Sequence, residues 1–267
     1  MSKLMNYEKN SVTGKKIRQL ILDLSFQSHE GHIGSALSVS DIIAVIFGEI
    51  LHISNIRSKN RDRFILSKGH AALALYCALY LKGLMNKRTL ETYCSDGSLL
   101  GVHPEAALTG IEFSTGSLGQ GLSFGVGTAL AADLLNKSYH TYVLVSDAEC
   151  NEGSIWEAVM FAAHNRLSNL TVIVDLNGQQ AFGYTRDVLQ LKKLSEKFKI
   201  FGWNAFDVNG HDEKKLATML RRKTSKPKVI IAHTTFGKGV SFMESQIKWH
   251  YQPLGEQEYS IAVKELK

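Results

Sequence analysis

The 267 residues, 44% of them hydrophobic and with a formal net charge of +6, suffice for one large α/β domain or two small ones with a substantial core. No apolar run reaches the roughly 18 residues of a membrane span, residues 1–16 lack the apolar centre of a secretory signal, and the widely spaced Cys77, Cys94 and Cys150 offer neither a disulfide framework nor a zinc site, so a reducing cytoplasm fits best. The positive charge favours an acidic ligand, but no long basic tract with interleaved aromatics points to nucleic acid, and a solvated basic surface accounts for it.

Val12, Ile17, Leu20, Ile21 and Leu24 recur at near-helical spacing and predict a first helix, which runs into a glycine-marked loop from Ser28 to Ser35 that contains His32. Ser40 or Asp41 is placed to cap a second helix carrying Ile42, Ile43, Val45 and Ile46. Arg61 to Leu66 is a short strand, and Ser67-Lys68-Gly69-His70 turns it into a helix from Ala71 to Leu81. His70 then sits near a helix N-terminus, where backbone N–H groups and the dipole favour an anion. Met85 to Tyr93 reads as a short surface helix, and His103 follows within Gly101-Val102-His103-Pro104-Glu105. Ser114 to Leu122 is a loop with three glycines ahead of a helix from Ser123 to Leu135, and such a loop lets backbone approach a ligand closely. Its order is G-x-x-G-x-G, not the dinucleotide fingerprint, and no phosphate-binding G-x-x-x-x-G-K-[ST] occurs.

Val143 to Asn177 forms one βαβ unit: an apolar run ending in Asp147, a helix with Ile155, Val159, Met160 and Ala163 facing one way, and a second apolar run ending in Asn177. Two parallel strands set Asp147 and Asn177 side by side at their carboxyl ends, where open α/β sheets bind ligands, and their hard oxygens suit Mg²⁺ or Ca²⁺. Either residue alone commonly ends a strand or caps a turn. A helix from about Leu189 to Phe198, a strand from Trp203 to Val208, a turn in which Asp212 caps the next helix, and a buried strand from Val229 to Ala232 follow. Strands alternating with helices predict an α/β fold with a largely parallel sheet covered on both faces. No linker or repeat divides the chain, which reads as a single domain over residues 1–267 with a helical N-terminal segment and an extended C-terminal tail containing His250.

Ser146-Asp147, then Glu152-Gly153, then Asn177 resemble the thiamin-diphosphate motif of the transketolase family, usually Gly-Asp, a short loop, Glu-Gly and a closing Asn after a second strand. Ser146 replaces the usual Gly, and Ala148 the Gly common after the Asp. The segments around His32, His70, His103, Gly116-Ser117-Leu118 and His233 to Val240 resemble that family too, while Gly178 to Gly183 replaces a more apolar sequence. The resemblance covers nearly all of this chain but only the diphosphate-binding module of a full-length transketolase. It implies the thiamin-diphosphate-binding fold, with Mg²⁺ (Ca²⁺ or Mn²⁺ able to substitute) held by Asp147, Asn177 and the backbone carbonyl of Gln179. Gly153 passes close to the diphosphate, Gly116 offers its backbone to the aminopyrimidine, Leu118 packs near that ring, and Ser117 and Ala148 belong to the same cofactor-facing loops. Glu152 orders the loop or a subunit contact, His70 meets the cofactor phosphates and substrate, and His32, His103 and His250 face the sugar.

The family's activating glutamate belongs to a pyrimidine-binding module that these 267 residues do not show. The expectation is therefore a separate C-terminal subunit, an α2β2 heterotetramer with active sites between subunits, and transfer of a two-carbon ketol unit from a ketose phosphate to an aldose phosphate. Subunits of 2-oxo-acid decarboxylases or dehydrogenases and deoxyxylulose-phosphate-synthase-like enzymes would share the metal motif, although the histidine set argues against them. A noncatalytic assembly subunit retaining the fold is the remaining alternative.

Overall fold

A computed structural model describes residues 11–53 and 55–267; the expectation for residues 1–10, that no secretory core lies there, falls outside the described residues. Helix α1, Gly14–Ser28, is capped by Thr13, whose side chain accepts from the Lys16 N–H, and it buries Ile17, Leu20, Ile21 and Leu24 on one face. Two short helices follow, α2 (Ile33–Ser38) and α3 (Ser40–Val45), the latter running on into a π turn, Ile46–Ile50. The loop expected to reach Ser35 thus ends at His32, and neither Ser40 nor Asp41 caps a helix. The Ser40 hydroxyl bonds back to the Ala36 carbonyl, and the Asp41 carboxylate is taken by Arg18 and His211. Tertiary partners have claimed the side chains that would otherwise start a helix.

Strand β1, Arg63–Leu66, leads through a tight turn, Gly69–Ala71, to α4, Ala72–Leu81, which is buried on every side. The surface helix expected over Met85 to Tyr93 shrinks to α5, Lys87–Leu90, and Met85, Leu90 and Tyr93 pack inward instead. Helix α6, Gly121–Leu134, precedes β2, Thr141–Ser146; α7, Gly153–His164, precedes β3, Leu170–Leu176. The buried face of α7 is Ile155, Ala158, Val159 and Ala162: Ile155 and Val159 lie on it as expected, whereas Met160 is 49% exposed and Ala158 and Ala162 take the inward positions. A hairpin of β4 (Gln179–Gln180) and β5 (Gly183–Tyr184) and a single turn, α8 (Thr185–Val188), come next. The helix expected from Leu189 begins later, as α9, Leu194–Ile200. Then come β6 (Asn204–Asn209), α10 (Glu213–Arg221, capped by the Asp212 side chain on the Lys215 N–H) and β7 (Lys228–His233). The tail is not extended throughout, because Glu256–Glu265 forms α11. Tyr259, Ala262 and Leu266 recur at helical spacing, Tyr259 stacks on Phe26 at 4.3 Å, and its hydroxyl donates to Asp23 at 2.7 Å, which docks α11 on α1.

The main sheet has the order β1-β2-β3-β7-β6 and every pairing in it is parallel. Because side chains alternate across a strand, neighbouring residues feed two different cores. Phe64, Leu66, Tyr142, Leu144, Ile173 and Ile230 pack with α1 to α4 and α10, whereas Ile65, Val143, Val145, Val172, Val174 and Val229 pack with α6, α7 and α9. Helices therefore cover both faces, and the free edge of interest is the carboxyl end, where Ser146 pairs with Asp175 and Leu176 with His233. Among the described residues no helix is long and apolar enough to cross a membrane.

Candidate functional site

At the carboxyl edge the ladder continues one step beyond β2, with the Asp147 N–H donating to the Asp175 carbonyl at 3.1 Å. The Asp147 side chain is fully buried: Oδ1 accepts from the Ala148 N–H (2.9 Å), and Oδ2 accepts from the Gly178 N–H (3.0 Å) and the Thr185 hydroxyl (2.9 Å). Asn177 is oriented by two bonds, its Nδ2 donating to Asp175 Oδ2 (2.9 Å) and its Oδ1 accepting from the Gln179 N–H (2.9 Å). Asp175 is the anchor. Fully buried, it pairs with the equally buried Lys68 at 2.5 Å, accepts from the Ser38 hydroxyl at 2.8 Å, and takes the Thr234 hydroxyl on its other oxygen. Three segments distant in sequence thus converge on one carboxylate, which fixes the way the nearby Asn177 amide faces.

At this edge Asp147, Glu149 and Asp175 are three buried carboxylates set against the buried ammonium of Lys68. Burial pushes the Asp147 carboxyl up to about 6, with Asp175 adding to it, and burial also raises Glu149. Asp147 Oδ1 and Asn177 Oδ1 each carry one hydrogen bond and keep a lone pair. A hard divalent cation fits both the excess negative charge and the oxygen donors. Among the described residues no group of three or more His, Cys, Asp or Glu side chains is arranged for a metal.

The histidines meet across the neighbouring wall. Ring centroids of His32 and His250 are 5.1 Å apart, those of His70 and His250 5.6 Å, and those of His32 and His70 5.7 Å. His32 and His250 are far apart in the chain, yet the His32 N–H donates to the His250 carbonyl at 3.2 Å. A Cβ on Gly31 would lie 2.6 Å from the Tyr251 carbonyl oxygen, so glycine there lets the tail close on the loop. His32 itself holds φ at +60°, a conformation costly for a residue with a Cβ. His103 joins through Gly116, whose added Cβ would meet its ring at 2.9 Å. Burial lowers His32, with His103 adding to it; burial, then the Lys68 ammonium and the neighbouring imidazoles, set His70 well below its ordinary value; and burial, with His32 adding to it, takes His250 down to about 4. Burial thus favours the uncharged form of these rings, and among the described residues the buried Nδ1 atoms of His32 and His250 have no hydrogen-bond partner.

One cavity of about 320 Å³ brings these groups together. Its wall contains His32, His70, His103 and His250 with Gly116, Leu118, Ala148, Asn177 and Gln179, and Asp147 lies buried just behind Ala148. Ser117, Glu152 and Gly153 are not on that wall; Ser117 and Glu152 point to solvent and Gly153 opens α7. Lys68, Ser35, Gln180 and Phe236 also line the cavity, and Asp175 and Glu149 stand behind it, although no spacing rule marked them in the sequence. Lys68 lies in the turn before His70 and Asp175 two residues before Asn177, and that adjacency was the only signal they carried.

The chain matches the transketolase thiamine diphosphate binding domain over residues 9–266. It is 37% identical to an apulose-4-phosphate transketolase subunit from Phocaeicola vulgatus, over 98% of this chain and 95% of that protein. It is also 37% identical to a 6-deoxy-6-sulfo-D-fructose transketolase subunit of Clostridium sp. strain MSTE9, over 94% of each chain. The crystal structure of transketolase from Campylobacter jejuni superposes with a TM-score of 0.90 at 30% identity, covering 98% of this chain and 43% of that one. The chain therefore spans about two fifths of the length of that full-length transketolase.

Proposed function

The chain belongs to the transketolase thiamine-diphosphate-binding family, and on that premise we propose that it is the N-terminal, cofactor-binding subunit of a split transketolase. The proposed enzyme transfers a two-carbon ketol unit from a ketose phosphate to an aldose phosphate. The observation that carries this reading is the composition of the cavity wall: four histidines, the glycine loop and Asn177 are gathered there. Asp147, Asn177 and the Gln179 carbonyl would hold Mg²⁺, which ties down the diphosphate, with Gly116 and Leu118 against the ring at the other end. When bound, thiamin diphosphate supplies the electron sink that lets the bond beside a ketose carbonyl break.

This chain's own contribution is positional and protic. Neutral His32, His70 and His250 can each donate one hydrogen bond and accept another, so they orient sugar hydroxyls and move a proton between them without a standing charge. His103, held beside Gly116, extends that set toward the glycine loop. The carboxylate that activates the cofactor is assigned to a C-terminal subunit in an α2β2 assembly, a reading supported by relatives that are themselves named as transketolase subunits. Two relatives named for apulose-4-phosphate and for 6-deoxy-6-sulfo-D-fructose support substrates drawn from sugar phosphates and modified sugars.

The test is ketol transfer from xylulose 5-phosphate to ribose 5-phosphate with Mg²⁺ and thiamin diphosphate, by this chain alone and co-purified with its C-terminal partner. Activity in the mixture only is the expected result. Turnover by the chain alone would remove the need for a second subunit, and a cofactor-loaded mixture active only on 2-oxo acids would replace the transferase reading.

A further inference from the structure

Glu149 touches neither the proposed metal nor the histidine wall, yet it stands where three loops of the site meet. It follows Asp147 by two residues in the turn Ala148–Asn151 and is fully buried. Its Oε1 accepts from the Ser67 hydroxyl and from the Gly119 N–H at 2.9 Å. Its Oε2 accepts from the Ser146 N–H at 2.8 Å and lies 3.4 Å from that residue's hydroxyl, which in turn accepts from the Glu149 N–H at 3.2 Å. Ser67 opens the turn to His70, Gly119 closes the Gly116-Ser117-Leu118 loop, and Ser146 precedes Asp147.

A carboxylate taken out of water costs several kcal/mol unless donors surround it. Here those donors come from three separate segments, so satisfying the charge and fixing the loops are one event. The loops also fit at only one spacing. An added Cβ on Gly121 would lie 2.4 Å from Ser67 Oγ, one on Gly69 2.8 Å from the Thr115 carbonyl, and one on Gly119 2.7 Å from the Glu152 Cβ. Glu149 does not line the cavity, so it acts through its neighbours and not on a ligand.

We propose that Glu149 is a positioning residue whose carboxylate, by bonding Ser67, Gly119 and Ser146 at once, sets the distance between the His70 turn, the glycine loop and the Asp147 loop. Resting on the cofactor reading of the cavity, this makes Glu149 the residue that matches the span between the two ends of the cofactor site. Glu149→Gln keeps the shape but turns an N–H₂ toward groups that already donate.

The test uses the complex with the C-terminal partner and two readouts. In hydrogen exchange, Glu149→Gln should speed the amides of 67–70, 116–121 and 146–148 together, while those of 141–143 and 228–231 keep their protection; loosening confined to 146–152, or spread over the whole chain, overturns the proposal. In steady-state kinetics the KM for thiamin diphosphate should rise about tenfold, the scale of a lost hydrogen bond to a charged group, with kcat at saturating cofactor kept within about threefold. A lower melting temperature with unchanged KM would mean that Glu149 merely stabilises the fold. Ser67→Ala guards against a variant that does not fold: it should loosen 67–70 alone and raise that KM by less, and an unchanged KM would again overturn the proposal. A wild-type complex that binds no thiamin diphosphate would end the cofactor reading, and the exchange pattern would still decide whether Glu149 ties the three loops.

Discussion

The two ends of the parallel sheet bury the same kinds of charged residue and use them differently. At the amino end, Lys228 is 2% exposed and donates to the carbonyls of Met219, Leu220 and Arg222, at 3.2, 2.7 and 2.8 Å. Asp62, ahead of β1 at the same end, accepts from the backbone N–H groups of His52 and His140. At the carboxyl end, Lys68 pairs with Asp175, which holds the side chains of Ser38, Thr234 and Asn177. One end spends its buried charge closing helix and strand termini; the other spends it aiming a candidate metal ligand. A buried lysine is thus no sign of a site, and its partners tell the two cases apart.

The sharpest way to break that contrast is to remove one group from each end. Asp175→Ala leaves Lys68 buried without a partner and should cost about 3–5 kcal/mol in urea unfolding, and with Asn177 released it should weaken Mg²⁺-dependent cofactor binding about tenfold. Lys228→Met should cost about 1–3 kcal/mol and leave cofactor affinity untouched. Equal losses of affinity in both would erase the distinction.

The amino end can be isolated through pH. His140, whose ring bonds the Thr171 hydroxyl, is lowered to about 4, by burial first and then by Lys228. Its folded value lies below the unfolded one, so between about 6.5 and 4 the unfolded chain binds more protons. The stability it contributes is complete above that window and is lost as pH falls through it, by up to about 3 kcal/mol. His140→Gln should flatten the acid limb of a stability profile. An unchanged slope would assign the acid sensitivity to the site histidines instead.

At the carboxyl end, Asp147→Ala should lower affinity for Mg²⁺ with thiamin diphosphate about 100-fold, as read by calorimetric titration of the complex, and should cost about 1–3 kcal/mol of fold stability, because the Gly178 N–H and the Thr185 hydroxyl lose their buried acceptor. The smallest effect belongs to His250→Gln, which keeps one donor and one acceptor and should reduce kcat/KM about tenfold without shifting cofactor affinity. A change in cofactor affinity there would move His250 from the substrate to the cofactor.

The parallel sheet was legible because β2 and β3 are continuous apolar runs with a helical stretch between them, and hydrophobic period depends on neighbouring residues alone. The Asp147 to Asn177 spacing was legible for the same reason, since a βαβ unit places both strand ends at one edge. Less was legible where tertiary contact overrode local preference. Met160 faces solvent because α7 rotates to bury Ala158 and Ala162 against the sheet, and the tail helix α11 is held by Phe26 and Asp23 of α1. Ser40 and Asp41 read as helix caps, yet their oxygens serve Ala36 at one and Arg18 and His211 at the other.

Sequence by itself determined the alternating architecture, the family resemblance and the position of each candidate ligand along the chain, because these rest on periodicity and on residue types at short spacing. Only the tertiary structure decided that His32 and His250 share a wall, that Lys68 and Asp175 stand behind Asn177, and that Glu149 joins three loops. Each of those facts is a contact between residues remote in sequence. Which contacts form depends on how both cores close around the sheet, a property of the packed whole that no local pattern encodes.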